Sequence, residues 1–317
     1  MSAVLRMTEM DFQHLPVLIQ PVLDAIVPES PALIVDCTLG GAGHSSALLE
    51  ALPEARLIGL DRDPDALAVA RARLERFGDR VTTVHAPFSD LERVLEELGV
   101  SGVDALLADL GVSSHQIDTA GRGFSFRADG PLDMRMDTSS GRSAEEILGS
   151  IEQDELARII RTYGEERYAG RVARVIVERQ PKTTAELADA VRSVVRKGKD
   201  RIDPATRTFQ AIRMLVNGEL DQLEMLLKAI PKVLNDRGVA ALISFHSLED
   251  RAVKHAFRDA VKGKTTPPEV PIYKVLEEPT LELVNKKPIV ADQEEIADNS
   301  RSRSAKLRVA RRLERGQ

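Results

Sequence analysis

The sequence predicts an α/β fold, a Rossmann-like parallel sheet with helices on its faces and a helical insert within it. Three observations predict it. Short apolar runs that end in an acid alternate with helical patterns over the first 110 residues. A glycine-rich turn follows the first of these runs. The alternation then stops, helical periodicity takes over, and strand character returns only near Gly238. Strands alternating with helices at about 25-residue spacing point to parallel pairing through right-handed crossovers.

Taken in order, Ala32-Leu33-Ile34-Val35-Asp36 is an apolar run suited to a strand buried on both faces. Gly40-Gly41-Ala42-Gly43-His44 makes a turn, and Ser45 to Ala51 a helix. Arg56 to Asp61 is a second strand. Asp63-Pro64 opens the next helix, with Leu67, Ala70 and Leu74 at helical spacing. Val81 to His85 is a strand, Leu91 to Leu98 a helix, and Val103 to Leu110 a strand carrying Asp109 near its end. Gly111 to Asp137 is rich in Gly, Ser, Asp and Arg and reads as an ordered loop. Helices are expected over 153–163, 165–179 and 184–196. A helix over 220–234 and a strand over 238–245 rejoin the sheet. The expected organisation is a first sheet segment over 1–139, a helical insert for substrate recognition over 140–212, and a second sheet segment with a basic tail over 213–317.

Composition narrows the function. A charged content of 30% beside 43% hydrophobic residues suits a folded protein. Aromatics are only 3%, so a broad base-stacking platform is not expected. The lone Cys37 rules out a disulfide framework and a cysteine-rich metal site. The histidines lack ligand-like spacing, so no catalytic metal is expected. No apolar run approaches membrane-spanning length or a signal peptide, and a cytoplasmic location is expected.

A glycine turn lets a ligand approach the backbone closely because glycine has no Cβ. An acid closing the second strand, here Asp61, is placed to accept hydrogen bonds from ribose hydroxyls. This geometry serves a dinucleotide or S-adenosylmethionine. A pyrophosphate needs a clear helix N-terminus. His44-Ser45-Ser46 crowds the turn and offers polar partners to a methionine tail. Asp109-Leu110-Gly111-Val112 at the end of the fourth strand suits an amine acceptor. These residues favour a methyltransferase over an NAD-dependent oxidoreductase.

Longer stretches go further. They include His14-Leu15-Pro16-Val17-Leu18, Asp36-Cys37-Thr38-Leu39-Gly40-Gly41-Ala42-Gly43-His44 and Asp109-Leu110-Gly111-Val112-Ser113-Ser114. Arg122-Gly123-Phe124-Ser125-Phe126, Asp133-Met134-Arg135-Met136-Asp137, Tyr163-Gly164-Glu165-Glu166-Arg167 and Ser244-Phe245-His246-Ser247-Leu248-Glu249-Asp250-Arg251 follow. On these the chain closely resembles the bacterial small-subunit ribosomal RNA cytosine-N4 methyltransferase family, RsmH (formerly MraW). The resemblance implies a class I methyltransferase sheet and S-adenosylmethionine as donor. It also implies a cytidine of 16S ribosomal RNA near the decoding centre as substrate, within the ribosomal subunit. By match, the cofactor contacts are Ala42, Gly43, His44, Asp61, Phe88, Asp109 and Gln116. The family usually has Gly where this chain has Ala42 and Pro where it has His115.

Cytosine N4 is a poor nucleophile because its lone pair is conjugated with the ring. A site must hold the amine in line and accept its hydrogens; positioning supplies most of the acceleration. Asp109 is the leading acceptor. His246 either touches the cytidine or is a structural histidine paired with a carboxylate. Phe88 lies on the adenine or in the core, and Phe124, Phe126 and Phe245 stack on an extruded base or simply pack. Asp36 orients the turn or the methionine amine, or caps backbone N–H groups. The acids of 129–137 are expected to pair with Arg127 and Arg135. For RNA, Arg167, Arg171 and Arg174 recur on one helix face, with Tyr168, Val172 and Val175 on the adjoining core face. Arg196 and Lys197 lie in a dense basic cluster that includes Arg192. The tail from Arg301 to Arg315 holds seven basic residues and one acid; it contacts phosphate or completes the sheet as an edge strand at 306–309. A non-catalytic, S-adenosylmethionine-binding assembly protein remains the alternative outside enzymology.

Overall fold

The computed structural model describes residues 16–196, 203–265 and 275–314. It forms two compact units. One is the chain up to Gly111 together with the chain from Asp221 onward; the other is Val112–Leu220.

The first unit is a seven-stranded sheet. Its strands are β1 (Leu33–Asp36), β2 (Arg56–Asp61), β3 (Val81–His85), β4 (Val103–Asp109) and β5 (Leu234–Ser244). A two-stranded ribbon follows, β6 (Lys264–Thr265) and β7 (Val275–Glu277), and then β8 (Leu281–Leu283) and β9 (Lys306–Arg312). The sheet order is β3-β2-β1-β4-β5-β9-β8. β1 to β5 pair in parallel, and β9 is antiparallel to both β5 and β8. The order reverses between β1 and β4, where open α/β sheets bind ligands beyond their strand ends.

Alternate residues of the central strands enter two cores, as the period of two requires. Val35, Leu106, Ala108, Ala240 and Leu242 face one cluster, which is closed by α4 (Leu91–Glu97), α11 (Glu219–Val233) and α12 (Ser247–Lys262). Ile34, Ala105, Leu107, Ala241 and Ile243 face the other. There they meet α1 (Ile19–Ile26), α2 (Gly43–Ala51) and α3 (Pro64–Leu74). Burial on both faces is why β1 and β4 read as unbroken apolar runs. The α3 start is as expected: Asp63 accepts from the Asp65 N–H and Pro64 occupies the first turn. β5 begins at Leu234, earlier than the expected 238, because its register against β4 shifts between Val103 and Ala105.

β9 is an inner strand, where the sequence suggested an edge. Its basic side chains bind acids of the same unit. Asp250 on α12 takes Arg308 Nε at 2.7 Å and Lys306 Nζ at 3.1 Å. Arg311 bridges Glu29 and Glu282. Local ion pairing therefore answers much of the charge that was read as a phosphate contact.

The second unit is helical, with α5 (Ser114–Asp118), α6 (Ala144–Leu148), α7 (Gln153–Tyr163), α8 (Ala169–Arg179), α9 (Thr184–Val194) and α10 (Ala205–Asn217). Its boundary falls at 111/112 rather than 139/140 because Leu132 and Met134 are buried in the helical core. Asn217 fastens that segment, accepting from Met136 N and donating to the Met134 carbonyl. It lies beyond the expected insert end at 212. Asp133 binds Arg135 through two hydrogen bonds of 2.8 Å. Asp129 instead accepts backbone N–H groups of Gly130 and Ala185. α8 starts at Ala169 rather than 165, so Arg167 precedes the helix that carries Arg171 and Arg174.

Partial burial raises the Asp250 pKa, but the hydrogen bonds from Arg308 and Lys306 outweigh it and hold the carboxyl below its usual range. A lowered folded value stabilises the protein above the unfolded pKa of about 4. That contribution is lost as pH falls through the lowered value. Asp250→Asn is expected to reduce the unfolding free energy by about 1.5–3 kcal/mol near neutral pH, with the difference from the parent closing in acid. Urea unfolding of both proteins across pH checks this.

Candidate active site

β1 and β4 lie side by side and end in Asp36 and Asp109; β2, on the far side of β1, ends in Asp61. The sheet thus gathers three carboxylates at the switch point. Among the described residues none of the three has an Arg or Lys ion-pair partner.

Asp36 is buried and accepts from Ser45 Oγ at 2.6 Å and Thr38 N at 3.1 Å. Burial nonetheless lifts its pKa to about 6. Asp61 Oδ2 accepts from Gly40 N at 2.7 Å and Oδ1 from Asp63 N at 2.8 Å. Burial takes it to about 6 as well. Asp61 therefore shapes the glycine turn and the start of α3, and each oxygen keeps a further lone pair for a ligand. Phe88 opens a short 3₁₀ turn just beyond β3 and is half-buried against the core. It leaves β3 beside β2, on the side where Asp61 ends its strand.

The turn between β1 and α2 is tight. Gly40 takes a φ of 51° and Ala42, the N-cap of α2, a φ of 59°. A left-handed conformation costs a residue with a Cβ about 1–2 kcal/mol, which is the physical content of the glycine usual at position 42 in the resembling family. A Cβ on Gly43 would lie 2.5 Å from Pro16 Cγ. Ser45 and Ser46 do not face a ligand as expected: both are buried, Ser45 on Asp36 and Ser46 on Arg76 Nη2. The first turn of α2 points them inward.

His44 is buried and its Nε2 lies 2.9 Å from the Val17 carbonyl. A carbonyl can only accept, so Nε2 carries the hydrogen and Nδ1 the lone pair. Burial lowers the His44 pKa to about 4, keeping the ring neutral. Nδ1 faces Asp109 Oδ2 at 3.9 Å, beyond hydrogen-bond reach. Asp109 is anchored by its N–H to Thr38 Oγ1 at 2.6 Å. Its Oδ1 is buried and without a hydrogen-bond partner among the described residues. Burial, then the charges of Asp36 and Glu249, push the Asp109 carboxyl well above the usual range. Gly111, with a φ of 96°, turns the chain away just after it.

His246 is the N-cap of α12. Its Nδ1 accepts from Glu249 N at 3.4 Å, and Nε2 lies 3.1 Å from Glu249 Oε1. Glu249, almost fully buried, also accepts from Phe245 N at 2.9 Å. Sequence reasoning missed Thr38, Pro16 and Glu249. Only Glu249 left a local signal, the spacing of a capping box from His246.

In the second unit, Gln116 is buried in α5 and its Oε1 accepts from Ser113 N at 3.0 Å in a capping box. Phe124 and Phe126 pack on the helical core, Phe126 edge-on to Phe209 at 4.9 Å. Arg167, Arg171, Arg174 and Arg196 are exposed. Lys197, Lys199 and Arg201 lie outside the described residues. Tyr168, expected in the core, is exposed, whereas Val172 and Val175 are buried.

Three carboxylates without a basic partner among the described residues, one of them with an open buried oxygen, and an aromatic ring at the strand ends fit a nucleoside that carries positive charge. Sheet and site together define the class, a Rossmann-like methyltransferase that uses S-adenosylmethionine. The chain belongs to the MraW methylase family, whose sequence profile matches residues 11–313. A ribosomal RNA small subunit methyltransferase H of Geobacter sp. (strain M21) is 52% identical over 310 residues, 96% of this chain and 99% of that protein. The protein of the same description from Sorangium cellulosum (strain So ce56) is 54% identical over 308 residues, 95% and 91% of the two chains. That from Heliobacterium mobile is 46% identical over 312 residues, 96% and 100%.

A cationic ligand binds best while Asp36 and Asp61 are ionised. Their affinity contribution is therefore expected to be level above about pH 7 and to fall as pH drops through about 6. Calorimetric titration with S-adenosylmethionine measures this. Asp61→Asn is expected to weaken binding at least about tenfold at neutral pH and to leave a shallower profile due to Asp36, since one charged hydrogen-bond acceptor is worth about 1.5–3 kcal/mol.

Proposed function

We propose that the protein methylates N4 of a cytidine in small-subunit (16S) ribosomal RNA near the decoding centre, with S-adenosylmethionine as donor. The observation that carries this reading is Asp109 Oδ1, a buried acceptor at the switch point with no hydrogen-bond partner among the described residues. An acceptor left open in a folded interior is costly unless a ligand completes it. The relatives' description as ribosomal RNA small subunit methyltransferases supports the substrate class. The family resemblance supports the N4 atom. The oxidoreductase alternative has no support from these relatives.

S-Adenosylmethionine, when bound, supplies an electrophilic methyl group on a sulfonium. Asp61 would accept from the ribose hydroxyls and Phe88 would lie on the adenine. Ala42, Gly43 and His44 would line the turn against the methionine part. Burial and the neighbouring carboxylates raise the Asp109 pKa, and a cation beside it would lower it again and favour the ionised form. The ionised Oδ1 accepts an N–H of the target amine, aims the nitrogen lone pair and stabilises the charge that develops on nitrogen. The amine becomes acidic only on methylation, so Asp109 needs no strong basicity to receive the proton. His246 is accounted for by capping α12 and is given no chemical step. Arg167, Arg171, Arg174, Arg196 and Lys197 are the proposed phosphate contacts, and the helical unit the proposed substrate-recognition domain.

The test is transfer of labelled methyl from S-adenosylmethionine to small ribosomal subunits and to protein-free ribosomal RNA, with nucleoside analysis of the product. N4-methylated cytidine is expected; label on another atom, or cofactor binding without transfer to either RNA, refutes the reading. Asp109→Asn is expected to lower kcat by about 10²-fold or more, as for loss of a positioned proton acceptor. Near-normal turnover in that variant would remove Asp109 from the mechanism.

A further inference from the structure

The stretch Tyr163-Gly164-Glu165-Glu166-Arg167 has contributed only Arg167, as a phosphate contact, yet it forms a tightly determined corner. A Cβ on Gly164 would lie 2.5 Å from the Arg207 carbonyl oxygen. Glu165 takes a φ of 50°. Glu166 is 3% exposed and accepts from Tyr168 N at 2.7 Å through Oε1, with Arg207 Nη1 4.0 Å from Oε2. A buried carboxylate thus fixes the residues that lead into α8.

This corner turns Arg167 and Tyr168 outward. Tyr168 is 41% exposed, in a chain with only three tyrosines. The guanidinium carbons of Arg167 and Arg171 lie 5.9 Å and 5.5 Å from its ring centre. Flush stacking would bring atoms to about 3.5–4 Å. The arginines therefore flank the ring at cation–π range rather than cover it closely. Neither has a carboxylate partner among the described residues. Other arginines of this unit do: Arg174 lies 3.7 Å from Glu178, and Arg192 pairs with Asp189 and Asp203.

We propose that Tyr168 is a stacking platform for one unpaired base of the RNA substrate, with Arg167 and Arg171 on the phosphates beside it. An open ring between two guanidinium groups that have no carboxylate partner among the described residues matches a single strand, which offers a base face and a phosphate at each step. A duplex hides its base faces. An acidic peptide would use the arginines and leave the ring idle. The proposal rests on the RNA methylation reading and adds a recognition point that reading does not contain.

The protein has no tryptophan, so Tyr168→Trp places one selective fluorophore at the point in question. Its emission is followed during titration with single-stranded oligocytidylate, a duplex RNA of equal length, and polyglutamate. Quenching by the single strand, weak response to duplex and none to polyglutamate are expected. Arg167→Ala and Arg171→Ala in this background should each reduce the salt slope of binding by about one. Tyr168→Ala is expected to raise KM for the RNA substrate about tenfold with kcat and S-adenosylmethionine affinity retained, and Tyr168→Phe to behave as the parent. No quenching by the single strand, equal quenching by duplex, or an unchanged KM in Tyr168→Ala overturns the proposal. A response to polyglutamate alone assigns the patch to a protein partner and overturns it too. Methyl transfer by the unmodified protein is measured alongside. Its absence sinks the methylation reading, whereas its presence with no response at position 168 sinks this one alone.

Discussion

The candidate site depends on holding carboxylates at the strand ends without basic side chains to answer them. Elsewhere acids are neutralised: Asp250 by Arg308 and Lys306, Asp133 by Arg135, Asp203 by Arg192. At the switch point Asp36 and Asp61 are met by neutral donors instead, Ser45, Thr38, Gly40 and Asp63. Neutral donors fix position without cancelling charge. The cost is visible in the carboxyl groups themselves, which burial raises to about 6 for these two and lifts well above the usual range for Asp109. A cation arriving there is stabilised by charge that the fold has left uncompensated. The paired acids hold the protein together, while the unpaired ones leave it an unsatisfied demand.

The same constraint explains the crowding around the turn. Ala42 accepts a left-handed backbone, and Gly43 has no room for a Cβ beneath Pro16. His44 is locked by the Val17 carbonyl. Strain and locked tautomers persist only where the surroundings over-determine them. Here the surroundings are β1, α2 and the chain just before α1, which converge on the one point where Asp109 keeps an open lone pair.

Most of the sheet was legible because its signals are local. Apolar runs, terminal acids and the Asp63-Pro64 start each sit within a few residues, and the strands fall where those signals lie. The glycine turn and Asp61 could be placed for the same reason. What was not legible depends on partners distant in sequence. Ser45 and Ser46 offered hydroxyls to a ligand on paper, but Asp36 and Arg76 take them. The 112–139 segment read as a loop of the sheet domain, and partners distant in sequence place it with the helices: the core that buries Leu132 and Met134, and Asn217, some 80 residues on. Thr38 holds Asp109 across a gap of 71 residues, which no motif records. Tyr168 was assigned to the core by periodicity, but the helix whose period was counted begins one residue later.

The place of Tyr168 bears on how a protein of net charge −6 would meet the RNA proposed as its substrate. Counting basic residues along the chain highlighted the tail as strongly as α8. The structure separates them by pairing. Lys306, Arg308 and Arg311 face acids of the sheet unit and serve its stability. Arg167, Arg171 and Arg196 have no such partner among the described residues. A phosphate gains little from a guanidinium already matched to a carboxylate, because binding must first break that pair or tolerate its negative charge nearby. The footprint that draws a polyanion is therefore the unpaired residue of the charge, and not its sum. An acidic chain can hold such a footprint wherever its acids are occupied elsewhere, and the rigid corner at Glu166 keeps one of them, with an aromatic ring at its centre, on the surface of the helical unit.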